Sequence, residues 1–224
     1  MEASDSERVV FVSVIHTDIE SVDAARRVVR ETKPDVVAVE LDHSRYHQLT
    51  NPIEEEPAPF TGDAAQDLMQ QLALLEKSLG EITGSDVGDE MLAAIEEGRA
   101  VGAKIALVDR PMTETIRAMM KVPMDELYRL TGLLPDATKD LEEGGAGDLL
   151  AMLKEEGAVD DLMEQFQTEF PGLAEVLIRQ RDQFVAKALQ FLLSDVEGKI
   201  VVVLGAGHIQ GVKTALNELL RSEV

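Results

Sequence analysis
Three β-branched runs, each closing on a polar side chain, constrain this chain more than anything else in it. Val9–Val14 (VVFVSV) leads through Ile15 into His16, and Val36–Val39 (VVAV) ends at Glu40. Residues 200–204 (IVVVL) pass through Gly205-Ala206-Gly207 into His208. Uninterrupted Val/Ile runs bounded by turn signals read as strands buried on both faces, the kind that build parallel sheets. In an open parallel sheet the carboxyl ends of the strands share one edge, and ligands bind there. Residues 16, 40 and 208 are therefore expected to meet in one cleft, with their functional groups within ~10 Å of one another. Two imidazoles and a carboxylate are material for proton transfer or for a metal ion.

The intervening sequence completes an α/β pattern. Thr17-Asp18-Ile19-Glu20 has the spacing of a capping box, with an acceptor at 17 and a glutamate three residues on. Ile19, Val22, Arg26 and Val29 then follow helical spacing to Thr32, and Pro34 stops the helix. Strand, helix and strand with short links form a right-handed βαβ unit. Residues 51–62 (NPIEEEPAPFTG) read as an exposed loop. Helices are expected near 63–80 and 86–99, and a third strand at 104–108 (KIALV) runs into Asp109-Arg110-Pro111. Between 112 and 195 no strand is evident. Segments 113–121, 124–131, 146–156 and 159–170 look helical, while DVGDE (86–90) and EEGGAGD (142–148) read as loops. Pro171 opens a long helix, about 172–194, with Leu173, Leu177, Phe184, Ala188 and Phe191 along its apolar side. A last strand at 199–204 and a helix at 209–221 close the chain. The expected fold is one α/β domain over residues 1–224: a mainly parallel sheet of at least four strands with flanking helices. A large helical insertion, about 112–195, precedes the last strand, and over the sheet edge it would form a lid or a specificity wall.

Composition removes several classes of function. Without cysteine there is neither a disulfide nor a thiolate metal site. A net charge of −22 repels phosphate, so nucleic acid is not an expected partner; the acidic residues, spread along the whole chain, read as a solvated surface suited to high salt. The acidic N-terminus (MEASDSER) is unlike a signal peptide, and no apolar stretch reaches the ~18–20 residues that span a bilayer. A cytoplasmic protein is expected. The sequence stops after a helix-like segment, so a membrane anchor beyond Val224, with membrane association of the full-length protein, stays open. Gly205-Ala206-Gly207-His208-Ile209-Gln210-Gly211 loosely matches a dinucleotide fingerprint. That site needs a further strand with an acidic residue about 20 positions on, and only 13 residues remain. No nucleotide cofactor is expected.

Each candidate site residue has a plain structural alternative. A lone histidine after an apolar strand, such as His16, is more often hydrogen-bonded structure than a catalyst. Glu40 is harder to dismiss, since a carboxylate directly after VVAV is nearly buried and needs a partner. Arg45 lies in the first helical turns after that strand, and Arg110 follows the third strand at the same edge. Arg179 and Arg181 lie on the long helix. Arg110 and Arg181 either pair with Asp109, Asp182 or Glu175 at the surface, where ion pairs contribute little, or clamp a substrate carboxylate or a developing oxyanion.

These residues resemble the TraB/PrgY family, associated with shutdown of peptide pheromones and found in archaea, bacteria and eukaryotes. The resemblance runs in order along most of the chain. It takes in the first strand with His16, then Pro34-Asp35-Val36-Val37-Ala38-Val39-Glu40-Leu41-Asp42-His43-Ser44-Arg45, then Leu107-Val108-Asp109-Arg110. Ile178-Arg179-Gln180-Arg181-Asp182 and Gly205-Ala206-Gly207-His208-Ile209-Gln210-Gly211 complete it. The family is similar in turn to the Tiki proteases, regarded as metal-dependent peptidases, and more distantly to erythromycin esterases and a haem-binding lipoprotein group. The resemblance implies His16, Glu40 and His208 as the central set and as ligands of a divalent metal (zinc, manganese or cobalt), with Arg45 and Arg110 beside them. One departure is Ser13-Val14-Ile15-His16, which lacks the glycine and small residues usual before that histidine. Archaeal relatives often carry membrane spans after this domain, which fits a chain that stops abruptly and an acidic, salt-adapted composition.

Three functions follow as expectations. The first is a peptidase-like, metal-dependent hydrolase that inactivates small peptides, with a fourth metal position left to water. The second keeps the site without metal, His16 or His208 acting as general base and the arginines stabilising an oxyanion. The third sequesters a peptide or other small molecule without cleaving it. A homodimer is a further expectation.

Overall fold
The computed structural model describes residues 5–52, 61–83 and 85–222. The loop expected at 51–62 lies mostly outside the described residues. Four strands form one sheet: β1 (Val9–Val14), β2 (Val36–Val39), β3 (Lys104–Leu107) and β4 (Ile200–Gly205). Their order is β1-β4-β2-β3, and every neighbouring pair is parallel. The last strand in sequence is thus central, with Val36 and Val9 both opposite Ile200. This order decides what meets at the carboxyl edge. The end of β1 and Glu40, just past β2, flank Gly205, while Asp109 follows β3 on the far side.

Both faces of the sheet are covered, which is why the strand sequences are continuously apolar rather than alternating. On one face Val36, Ala38, Ile200, Val202 and Leu204 pack against α10 (Gln180–Asp195) and α11 (Ala206–Ser222) through Val185, Leu189, Val212 and Leu216. On the other, Val12, Val37, Val39, Val201 and Val203 meet α1 (Ile19–Thr32) and α4 (Asp89–Ala100) through Ala25, Val29, Met91 and Ile95. Short α2 (His43–Thr50) follows β2, capped by Asp42, whose carboxylate accepts from the Arg45 N–H at 2.7 Å.

A third core lies away from the sheet. It joins α3 (Ala64–Thr83), α5 (Met112–Met119), α6 (Met124–Asp140) and α9 (Pro171–Ala174), with Leu68, Met119, Leu127, Phe170 and Leu173 buried in it. Helices α7 (Ala146–Leu153) and α8 (Ala158–Glu169) complete the insertion before β4. This layer reaches over the sheet edge. Lys154, just after α7, pairs with Asp18 and Glu20 at the start of α1 at 3.1 and 2.9 Å. Among the described residues no helix is long and apolar enough to cross a membrane.

Four expectations need correction. The helix expected at 124–131 continues to Asp140 and carries Pro135 inside it. Burial of Leu127 and Leu134 against the third core offsets the hydrogen bond the proline cannot make. Residues 142–148 are not an open loop: α6 meets α7 across a kink at Gly144, whose φ of 115° favours glycine. At α1 the cap is Asp18 rather than Thr17. A turn closed by the Asp18 N–H on the Ile15 carbonyl (3.0 Å) presents the Asp18 carboxylate to the Glu20 N–H, and Thr17 is buried with its hydroxyl unpartnered.

The apolar side of the long helix also changes along its length. Leu173 is buried, but Phe184 and Phe191 are 38% and 69% exposed. The cause is a π turn, Glu175–Arg179, between α9 and α10. One extra residue in a turn advances the helical phase by about 100°. Beyond it the inward stripe becomes Asp182, Val185, Ala186, Leu189 and Leu193.

Candidate functional site
The strand order places Glu40, Gly205 and His16 side by side. Glu40 is 4% exposed, and its Oε2 accepts from the Gly205 N–H at 2.7 Å. Gly205 has little room beside it: a Cβ there would lie 2.8 Å from His16 Nε2 and 3.4 Å from Glu40 Oε2. Because α11 begins directly after Gly205, His208 lies in its first turn, with Nε2 3.4 Å from Glu40 Oε1. The structure therefore brings His16, Glu40 and His208 together.

Each imidazole is held from behind by a buried carboxylate. His16 Nδ1 donates to Glu90 Oε1 at 2.7 Å, and Glu90 is 1% exposed. His208 Nδ1 donates to Asp182 Oδ1 at 2.6 Å, with Asp182 4% exposed. A carboxylate has no hydrogen to give, so both rings carry a proton on Nδ1; Nε2 of His208 then faces Glu40, and Nε2 of His16 lies against Gly205. Gly211 makes the second pairing feasible, since a Cβ there would fall 1.9 Å from Asp182 Oδ2. The glycines of Gly205-Ala206-Gly207-His208-Ile209-Gln210-Gly211 thus serve close packing around these side chains. Gly207 in turn approaches Met163 of α8, the point where the helical layer rests on the start of α11.

Arg181 joins the two halves. Its Nη2 donates to Glu40 Oε1 (2.6 Å) and Asp109 Oδ2 (2.8 Å), its Nε to Asp109 Oδ1 (3.0 Å), and its Nη1 lies 3.2 Å from His208 Nε2. Burial opposes the Arg181 charge, yet Glu40, Asp109 and Asp182 raise its pKa above the ordinary value. Burial alone would raise the Glu40 pKa. His208, Arg181 and His16, with the Gly205 N–H, outweigh it and hold the carboxyl at about 2. Burial likewise works against a charged His16, and the Glu90 hydrogen bond with the fields of Glu40, Glu90 and Glu76 prevails, raising it. Asp182 is raised, chiefly by burial, with the His208 hydrogen bond opposing.

The expected arginines have different places. Arg110 is buried, but not in the surface ion pair that was the plain alternative. Its Nη1 donates to Gln180 Oε1 (2.8 Å) and its Nη2 to the Glu114 carbonyl (2.6 Å). Arg181, for which the plain alternative was a surface pair with Asp109, Asp182 or Glu175, does pair with Asp109, but in the central network and only 18% exposed, while Arg179 pairs with Glu175 in the open at 3.0 Å. Arg45 lines a cavity that Arg110, Arg181 and Asp109 also reach. Glu90, Asp109, Arg181 and Asp182 are central partners that the sequence reading left outside its candidate set. Glu90 fell in a presumed loop. Its spacing to Ala94, one turn along the buried stripe of α4, was the available signal.

A divalent ion can be tested against this geometry. The donor chemistry fits: two imidazole Nε2 atoms and a carboxylate, each ring backed by a carboxylate, is the usual outer arrangement around catalytic zinc. Four carboxylates around one guanidinium and two imidazoles also leave negative charge for a further cation. The arrangement itself is not preformed for one. The guanidinium of Arg181 already contacts Glu40 Oε1 and His208 Nε2, and among the described residues no three acidic or histidine side chains stand at ligand spacing.

Comparison with known proteins supplies the family. An uncharacterized protein of Methanocaldococcus jannaschii is 31% identical over 221 residues, covering 94% of this chain and 54% of that relative. The TraB domain-containing proteins of Homo sapiens and Bos taurus are each 27% identical over 246 residues, covering 94% of this chain and 63% of theirs. The chain thus spans little more than half the length of these relatives. The sequence profile of the TraB/PrgY/gumN family matches residues 2–223, and the chain belongs to that family.

Proposed function
We propose that this chain is a hydrolase of small peptides or related acyl compounds, with His16 and His208 as the proton-transferring groups. One observation carries the reading: two imidazoles, each held through Nδ1 by a buried carboxylate, converge on Gly205 and Glu40, His208 Nε2 lying 3.4 Å from Glu40 Oε1 and His16 Nε2 lying against Gly205. Purely structural histidines have no need of that convergence. In the reaction, water oxygen bonds to the acyl carbon and gives one proton to an imidazole. The acyl–nitrogen bond then breaks, and the proton passes to the departing amine. Glu90 and Asp182 keep the imidazoles oriented, Glu40 holds the guanidinium of Arg181 in place, and Arg181 supplies positive charge toward the developing oxyanion.

Where a divalent metal takes part, His16, Glu40 and His208 would hold it, and it would supply a bound water acidic enough to ionise near neutral pH. That reading requires Arg181 to withdraw from Glu40 and His208, and the metal-free reading is favoured by the contacts Arg181 makes. The test is cleavage of a small peptide library by the purified protein, with and without chelator, beside elemental analysis. Loss of cleavage in Glu40→Gln is expected. Full activity of that variant would refute the catalytic reading, and tight peptide binding without turnover would point to sequestration.

A further inference from the structure
A cavity of about 480 Å3 opens beside the central network, roofed by α3 and α5 and floored by the residues after β2 and β3. Its wall is largely apolar, with Met69, Leu72, Met112, Ile116 and Leu177 contributing, and its size suits one amino-acid side chain with its backbone. Three guanidinium groups border it, and they are not equivalent. Arg181 is neutralised by Glu40 and Asp109. Arg110 is buried and bonded only to neutral acceptors, the Gln180 amide and the Glu114 carbonyl. Arg45 is half-buried, and among the described residues its guanidinium has no hydrogen-bond or ion-pair partner, the Asp42 carboxylate binding its backbone N–H instead. Two carboxylates also line the cavity, Glu76 and Asp109, the latter taken up by Arg181; in a chain with 43 acidic and 21 basic residues, two arginines at such a cavity whose guanidinium groups have no carboxylate partner among the described residues run against the composition.

A partly desolvated guanidinium seeks an anion, and a carboxylate matches its paired donors. We propose that this cavity is the specificity pocket of the site, taking an apolar side chain whose own free carboxylate is held by Arg45 and Arg110. The substrate class is then a short peptide or acylated amino acid ending in an apolar residue, its acyl bond directed toward Arg181 and Glu40. This rests on the hydrolase reading for its chemistry, but the binding stands on the pocket alone.

The test is calorimetric titration of the intact chain with N-acetyl-leucine and with N-acetyl-leucinamide, which differ only in the carboxylate. The acid is expected to bind at least about tenfold tighter. Arg45→Gln should weaken the acid several-fold more than the amide and so shrink that preference, Arg110 keeping the remainder, and Arg45→Lys should shrink it less. Because the Arg45 guanidinium has no hydrogen-bond or ion-pair partner among the described residues, both variants should melt with the wild type. Filling the cavity with Ile116→Trp should remove binding of both ligands. Equal binding of acid and amide, no binding of either, or an acid preference untouched by Arg45→Gln would each overturn the proposal. Absence of peptide cleavage would count against the hydrolase reading and leave these results standing.

Discussion

Glu40→Gln tests the central network most directly. The substitution keeps shape and removes charge, so the variant resembles the wild type with Glu40 protonated. Both Glu40 oxygens accept, one from Arg181 and one from the Gly205 N–H, and neither a protonated carboxyl nor an amide can accept at both positions. The fall of the Glu40 pKa from its ordinary 4.5 to about 2 corresponds to about 3 kcal/mol, at about 1.4 kcal/mol per pH unit. The sign follows from the direction. A folded-state pKa below the unfolded value gives stability that is present above about pH 4.5 and lost as pH falls toward 2. At neutral pH the variant should therefore be about 3 kcal/mol less stable than wild type, and by about pH 3 the gap should shrink to less than half. Carboxylates remote from Glu40 titrate alike in both proteins and cancel, whereas Asp182, raised chiefly by burial and in part by the Glu40 charge, is relieved of that part in the variant. Urea unfolding followed by far-UV circular dichroism, on chelator-treated protein at about pH 7 and about pH 3, measures both values. A gap that is absent at neutral pH, or that does not change between the two, would refute the charge-network account of Glu40.

Further outcomes follow from particular contacts. Gly205→Ala puts a methyl group against His16 Nε2, so peptide cleavage should fall by about a hundredfold while far-UV dichroism is unchanged. The His16 pKa is raised on folding, so its contribution is fully present below about 6.5 and lost as pH rises through the folded value. His16→Gln should therefore cost more stability at about pH 5.5 than at about pH 9, read by urea unfolding. Leu189→Ala should cost about 2–5 kcal/mol and Phe191→Ala about 0.5 or less, the reverse of what an unbroken α-helical stripe implies. With a net charge of −22, the thermal midpoint should rise in molar potassium chloride, and an unchanged midpoint would count against repulsion as a destabilising force.

The elements legible in the sequence share one property: their signal is local. Continuous Val runs mark strands buried on both faces, and the residue after each run falls at the carboxyl edge whatever the strand order, so His16, Glu40 and His208 could be grouped before the order was known. What was not legible depends on phase or on non-local pairing. A π turn at Glu175–Arg179 leaves no propensity mark, yet it decides which side of α10 faces the sheet. It turns Asp182 inward along the stripe that Val185 and Leu189 define, and Arg181 bridges Glu40 and Asp109 beside it.

The same shift bears on the chemistry. Arg181 and Asp182 are adjacent, and near a helix surface they would pair with solvent or with neighbours one turn away. The observed phase of α10 instead directs Asp182 to His208 Nδ1 and Arg181 to Glu40 from adjacent backbone positions. A small rotation of this helix would therefore alter the backing of His208 and the cation beside Glu40 together. The extra residue of a π turn is a place where helices accommodate such geometry at functional sites. Deleting one residue of the turn, Val176 or Leu177, should restore the α-helical phase and rotate Asp182 away from His208. Loss of the low-field Nδ1 proton resonance of His208 in nuclear magnetic resonance, in a variant that still melts cooperatively, is the expected result. Retention of that resonance would show that the phase of α10 is set by its packing on β4 and α11, and that the turn is incidental to the site.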